Sequence, residues 1–252
     1  RTVRVPKPGR AYLAWSDPVW ARWLRLAAEA PVGAGFEVQE LAVQGGEFSA
    51  PNAVATAMAK DARRGTFPRA FTGEQAYWTV VGTDGGPEKA LFGEDGALEP
   101  GPGSFSIEPF LRDDERFLGW ADVRITQTLE DGALPVPLVT WERDGLHLEI
   151  APFAADEGRF GLLYARYRLT NTAKTARHVQ LALALRPFQV NPPTQFLNQP
   201  GGVATVRSIE AQDGRVSING QWTIVPLVPP YGFGAAPFDR GDVTGFLRAG
   251  TV

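Results

Sequence analysis

From Ala76 to Val225 apolar and polar residues alternate, and short clusters of Asp, Asn and Gly separate the alternating runs. Successive side chains of a strand point to opposite faces, so a period of two predicts half-buried β-strands. The pattern places them over 77–83, 104–112, 120–129, 138–143, 146–153, 162–171, 178–186, 203–211, 216–219 and 222–225. Between them stand Asp84-Gly85-Gly86, Glu94-Asp95-Gly96, Glu130-Asp131-Gly132, Asp144-Gly145, Asn171-Thr172 and Asp213-Gly214, residues suited to tight turns. Asp144-Gly145 is the clearest hairpin signal, two turn residues between two apolar runs. Along 178–186, Val179, Leu181, Leu183 and Leu185 share one face and Gln180 the other, so the leucine face is expected to be buried. The run before it sets Leu163, Ala165, Tyr167 and Leu169 against Tyr164, Arg166, Arg168 and Thr170. Antiparallel pairing of the two runs through 172–177 is the simplest arrangement.

Before residue 76 the period is helical. One helix is predicted with Asp17 as cap, Pro18 in the first position, and Val19, Trp20, Trp23, Leu24 and Ala27 at three- and four-residue steps up to Pro31. A second runs from Ser49 as cap through Pro51 to about Arg63, with Val54, Ala55 and Met58 on one side and Gly65 and Pro68 beyond its end. The expected organisation is a helical leader, 1–70, packed on a β domain, 71–252.

Composition narrows the class. Twenty-eight glycines and 21 prolines in 252 residues are too many for a helical bundle, while 44% hydrophobic and 11% aromatic content excludes wholesale disorder. The fold is therefore read as all-β, a large antiparallel two-sheet sandwich with a short helical N-terminal leader. A net charge of −3 supplies no basic field for nucleic acid. No apolar run approaches the roughly 20 residues of a membrane span. The chain begins at Arg1 without an initiator methionine and stops at Thr251-Val252, which is the pattern expected of a piece of a longer protein.

Candidate chemistry is sparse. Without cysteine, and with His147 and His178 as the only histidines, no zinc site can be completed. The clusters Asp113-Asp114-Glu115 and Glu94-Asp95 with Glu99 match no calcium-loop spacing, so neither metal nor cofactor is expected. No serine stands in a nucleophile elbow. Carboxylates that could serve glycoside chemistry are abundant, but Glu94-Asp95-Gly96 and Glu130-Asp131-Gly132 have the form of turns. His147 and Glu149 share one strand face, as an acid and base pair would require, and a surface pair explains them equally simply. No catalytic residue is assigned. Of the indoles on predicted strands, Trp78, Trp120, Trp141 and Trp222, most belong to a core; Trp120 and Trp141 are the candidate sugar platforms.

One segment has no period. Residues 187–201 hold four prolines and five amides, and an irregular stretch beyond about 12–15 residues is often functional or interfacial. Arg186, Phe188, Gln189, Asn191, Gln195, Phe196, Asn198 and Gln199 are the candidate interface or ligand residues. The alternative is that these amides satisfy the loop's own backbone.

The run Trp120-Ala121-Asp122-Val123, the stretch Thr128-Leu129-Glu130-Asp131-Gly132-Ala133-Leu134-Pro135-Val136-Pro137 with Leu138-Val139-Thr140-Trp141, the segment Ala184-Leu185-Arg186-Pro187-Phe188-Gln189-Val190-Asn191-Pro192-Pro193 and Gly201-Gly202-Val203-Ala204 together resemble a known domain. It is the N-terminal, galactose mutarotase-like β-supersandwich of bacterial six-hairpin glycosidase-like and glycoside phosphorylase-like proteins. The resemblance covers residues 76–224. It implies a sandwich preceding an (α/α)₆ barrel of the same chain, with the catalytic carboxylates in that barrel. This chain would then be a non-catalytic domain of a glycoside hydrolase-like or phosphorylase-like protein, its partners being the barrel and carbohydrate. The sequence itself does not fix a compartment, and the same resemblance favours export, to the periplasm or outside the cell. A stand-alone carbohydrate-binding module and a sugar mutarotase or epimerase are the alternatives.

Overall fold

The computed structural model describes residues 12, 20–27, 37–86, 89–114, 116–157, 160–238 and 242–250. They form mostly antiparallel β-structure: β1 (Trp78–Val81), β2 (Ala90–Gly93), β3 (Leu98–Glu99), β4 (Ser106–Asp113), β5 (Arg116–Leu118), β6 (Arg124–Leu129), β7 (Pro137–Arg143), β8 (Leu146–Glu157), β9 (Phe160–Asn171), β10 (Val179–Arg186), β11 (Ile209–Gln212), β12 (Arg215–Ile218) and β13 (Trp222–Ile224). Helix α1 (Pro51–Asp61) precedes the strands and α2 (Val243–Ala249) follows them. One sheet has the order β1-β2-β3-β4-β10, with β5 also pairing β4; a second is β6-β7-β8-β9, and a small third is β11-β12-β13.

The first two sheets share one core. Val81, Phe92, Leu98 and Leu111 from the larger sheet meet Val139, Trp141, Leu148 and Ile150 from the four-stranded one. Alternation along β7 and β8 makes this possible, because Val139 pairs Ile150 and Trp141 pairs Leu148 on the same face. Asp144 (φ 47) and Gly145 (φ 79) turn that hairpin in the left-handed region, as their identities predict. The far side of the larger sheet is covered too. Ala55 and Ala59 of α1 pack with Phe67, Phe71 and Phe188. Val243 and Leu247 of α2 lie against Phe110, Phe117 and Ala184.

Several expectations are corrected. Strands β9 and β10 do not pair with each other: β9 lies along β8, and β10 along β4 in the other sheet. The connection between them crosses from sheet to sheet, where Arg177 bonds to Asp113 and Arg116 reaches the same carboxylate. The leucine face of β10 is incompletely buried, Leu183 being 43% exposed, while Ala184 and Arg186 on the opposite face are interior. α2 and the loop after β10 cover that second face. Residues 203–211 do not form one strand; Val203 makes an isolated bridge with Phe188, and β11 begins at Ile209. Residues 20–27 carry no helix, and Trp20 and Trp23 lie exposed; the rest of the first predicted helix falls outside the described residues. A short helix needs its apolar stripe packed, and this stripe is not. α1 forms as predicted, but its cap is Ala50, without a side-chain bond, and Ser49 ends a 3-10 turn.

Candidate functional site

Segment 187–201 divides into a buried root and an exposed tip. At the root, Phe188 packs its ring against Phe67, Phe71 and Phe238 with centroids at 5.6, 5.1 and 6.1 Å. Gln189 Nε2 donates to the carbonyls of Pro200 (3.2 Å) and Val203 (3.3 Å). Asn52 of α1 clamps the return strand, donating to the Gly201 carbonyl (2.9 Å) and accepting from the Val203 N–H (2.7 Å). Glu99 is wholly buried. One carboxylate oxygen accepts the N–H groups of Val190 (2.8 Å) and Asn191 (3.1 Å), and the other accepts from Gly103 (2.7 Å). Burial pushes the Glu99 carboxyl above its usual pKa, against these N–H donors.

Arg186, Phe188, Gln189 and Asn191, four of the candidate interface or ligand residues, therefore face the interior. Arg186 donates to Glu108 (2.8 Å), Asp242 (2.7 Å) and the Thr66 carbonyl (2.8 Å), tying β4, β10, the α1 connection and the α2 cap together. Gln189 spends its amide nitrogen on the loop's own backbone, the alternative reading of these amides.

The tip is different. Gln195, Phe196 and Asn198 are exposed, Phe196 by 71%, and Gln199 is half-buried. Backbone bonds close it on itself, from Gln195 N to Pro192 O (3.0 Å), Leu197 N to Gln199 O (3.1 Å) and Gly201 N to Gln195 O (3.1 Å). Asn198 turns the chain at φ 59. Gln195 Oε1 accepts the indole N–H of Trp78 at 3.3 Å, which sets the tip beside β1.

β1 and β6 each stand at one end of their sheet's strand order, and between them opens a cleft of about 150 Å³ lined by Tyr77, Trp78, Thr79, Phe92, Gln127, Thr128, Pro137 and Leu138. Behind it, Arg69 gathers carboxylates: it bonds Asp95 through two nitrogens (3.0 and 2.6 Å), reaches Glu74 (3.0 Å) and lies 3.3 Å from Glu94. Burial raises the pKa of Glu94 and of Asp95, the latter despite its bonds to Arg69. The two acids converge on one guanidinium as an ion-pair network, and both also line a small cavity beside it. The adjoining cavity, about 50 Å³, has room for a few waters.

Trp120 and Trp141, the candidate sugar platforms, both lie in the interior. They are 6% and 2% exposed, because each indole N–H is turned inward to a carbonyl, Phe67 for Trp120 (2.9 Å) and Asp95 for Trp141 (3.0 Å). The guanidiniums of Arg64 and Arg69 lie 4.5 and 4.3 Å from the Trp120 ring. On the outer face of β8, His147 stands 3.6 Å from Glu142 and Glu149 pairs with Arg168 (3.3 Å). Asp113 is held by Arg116 and Arg177, which outweigh burial and keep its pKa low; Glu115 lies outside the described residues. Among the described residues no three His, Asp or Glu side chains are grouped to hold a metal ion, and no helix is long and apolar enough to cross a membrane.

Sequence reasoning missed Tyr77, Thr79, Gln127 and Thr128 as neighbours. Their proximity arises from two edge strands of different sheets, for which local periodicity carries no signal. Comparison with protein-family models, curated proteins and solved structures gives no match.

Proposed function

We propose that the chain is the non-catalytic β-supersandwich domain of a larger carbohydrate-active protein, of glycoside hydrolase or phosphorylase type, supporting an (α/α)₆ catalytic barrel. The observation that carries this reading is the strap after β13. Residues 216–238 contain no charged side chain. Within that stretch Leu227, Val228, Tyr231 and Phe233 stand exposed, Tyr231 by 102%. Prolines 226, 229 and 230 restrict the backbone of the strap, and Phe238 anchors its end on Phe188. Several large apolar side chains exposed within a short uncharged segment are what a docking interface presents, which suits a supporting domain better than an isolated module. The tip at Phe196 offers a second, smaller contact.

The test compares the 252-residue chain with the parent protein. The chain alone is expected neither to cleave nor to phosphorolyse glycosides, nor to speed anomer interconversion. Leu227→Ser with Tyr231→Ser should leave its melting temperature within about a degree, as exposed positions do, and should lower that of the parent. Turnover by the chain itself, or a parent indifferent to both changes, sinks the proposal.

A further inference from the structure

We infer that residues 20–27 fold as a short amphipathic helix on an anionic lipid surface, with Trp20, Trp23 and Leu24 entering the interface and Arg22 and Arg25 held among the headgroups. The segment stands apart from the rest of the chain in composition. Residues 1–31 hold six Lys or Arg against two Asp or Glu, a net charge of +4, whereas residues 32–252 hold 19 against 26, a net of −7. Three of the seven tryptophans, Trp15, Trp20 and Trp23, fall in that first stretch. The overall charge of −3 hides this division. A basic segment still attracts anions locally, because charges more than about 10 Å away are screened at 0.1 M salt.

Among the described residues nothing covers the two indoles. Trp20 is 100% exposed and Trp23 84%, Leu24 and Leu26 are about half exposed, and residues 20–27 carry no helix. Their order is nevertheless that of a helix with two faces. At about 100° per residue, Trp23, Ala27, Trp20 and Leu24 fall within about 100° of arc, and Arg22 and Arg25 lie on the opposite side, about 60° apart. Two turns of helix do not hold themselves together in water; they form when a surface takes up the apolar stripe. The identities on each face choose that surface. Indoles settle at the level of lipid headgroups, leucines beside them reach the acyl boundary, and arginines on the far face stay with the phosphates. The body of this chain does not serve, since it carries the opposite charge and yet both indoles remain in solvent. A nucleic acid would engage the arginines and leave the leucines in water.

Flotation of the full 252-residue chain with vesicles is the direct test, phosphatidylglycerol mixed with phosphatidylcholine against phosphatidylcholine alone. The chain should rise with the anionic vesicles only, and about 0.5 M salt should weaken the association. Trp20→Ser with Trp23→Ser should lower vesicle affinity by about tenfold or more, as the loss of buried apolar side chains does. Independently, Arg22→Gln with Arg25→Gln should lower it by about tenfold. Both variants should melt with the native protein, because the changed side chains pack against nothing. Arg22→Lys with Arg25→Lys should keep most of the affinity, since attraction to a charged surface counts charge rather than guanidinium geometry. Amide exchange over 20–27 should slow on the vesicles. Leu227→Ser with Tyr231→Ser, in the strap, should leave flotation unchanged. Equal binding to neutral vesicles, binding lost through the strap change instead, or no flotation at all overturns the inference. So does a dimer of the chain that dissociates in the tryptophan variant, which would make a second copy the cover, or binding of a DNA duplex by a chain that leaves vesicles alone. None of these results bears on glycoside turnover, so the reading above stands or falls separately.

Discussion

The buried carboxylate of Glu99 accepts the backbone N–H of Asn191 at 3.1 Å, fastening a proline-rich loop to the turn after β3. A segment with no regular structure thereby keeps a fixed path, since its backbone donors are answered by a side chain rather than by a ladder. Glu99→Gln should cost about 2–3 kcal/mol, because one carboxylate oxygen becomes an NH₂ confronting N–H groups that then go unanswered inside the protein. Urea unfolding measures it. A loss under about 0.5 kcal/mol, typical of surface changes, would mean that the loop is held by Asn52 and Phe188 alone.

The acid limb of stability should report Asp113. Burial alone would raise its carboxyl, but hydrogen bonds from Arg177 and Arg116 hold the pKa below the usual aspartate value. A carboxyl depressed in the folded state adds stability above its unfolded pKa, about 4, and that stability is lost as pH falls through the lower folded value. Asp113→Asn is therefore expected to destabilise at pH 7 by about 1–3 kcal/mol and to flatten the decline in melting temperature below pH 4. An unchanged acid limb would place the titration elsewhere.

Tyr167 makes the opposite case. Its hydroxyl is buried in the core with no hydrogen-bond partner among the described residues, and burial pushes the phenol well above its ordinary pKa. Removing an unpartnered polar atom costs no bond, so Tyr167→Phe should be neutral or stabilising by up to about 1 kcal/mol. A loss larger than that would reveal a hydrogen bond to the hydroxyl.

Trp141 and Trp78 should differ in what they contribute to stability. Trp141 fills the core and bonds the Asp95 carbonyl, so Trp141→Ala should lose about 3–5 kcal/mol. Trp78 sits half-buried at an edge, and Trp78→Ala should lose less. If the two variants unfold at the same denaturant concentration, the edge position of Trp78 does not lessen its contribution.

These contrasts show what the chain displays locally and what it does not. Strands β7 and β8 were legible because their apolar residues alternate around Asp144-Gly145, and the register follows from that turn. Strand β2 was invisible for the converse reason: Ala90, Leu91, Phe92 and Gly93 are all buried, so both faces are non-polar and no alternation exists. The pairing of β9 with β10 was misread because a short connection ordinarily makes a hairpin, whereas here Arg177 and Asp113 hold it across two sheets. Trp141 lies on β7, whose alternation does not say which face is covered, and Trp120 lies in a 3-10 turn ahead of β6 rather than on the strand its alternation predicts. The loop stands out in the sequence by its lack of period, but its division into a buried root and an exposed tip depends on Glu99 and Asn52, whose bonds to it span 92 and 151 residues.

The last prediction concerns Arg186, which is interior and shared between Glu108 and Asp242, with no partner for its Nε among the described residues. Burial alone would depress the guanidinium pKa, but the two carboxylates outweigh it, so the arginine stays charged. Taking charges out of water is costly, and the attraction returns that cost only while every partner is present. Arg186→Met should therefore lose about 3–5 kcal/mol, because it strands two carboxylates against α2 and β4. Glu108→Gln added to it should not lose the sum of the two single effects but fall short of it by about 1–3 kcal/mol, the coupling expected of groups in one network. Asp242 also caps α2, accepting the Thr244 N–H at 2.9 Å, so amide exchange over residues 243–249 should quicken in Arg186→Met before the sheets lose protection. Strict additivity of the two substitutions, or an α2 that exchanges as slowly as in the native protein, would show that the triad neither couples these elements nor holds the helix in place.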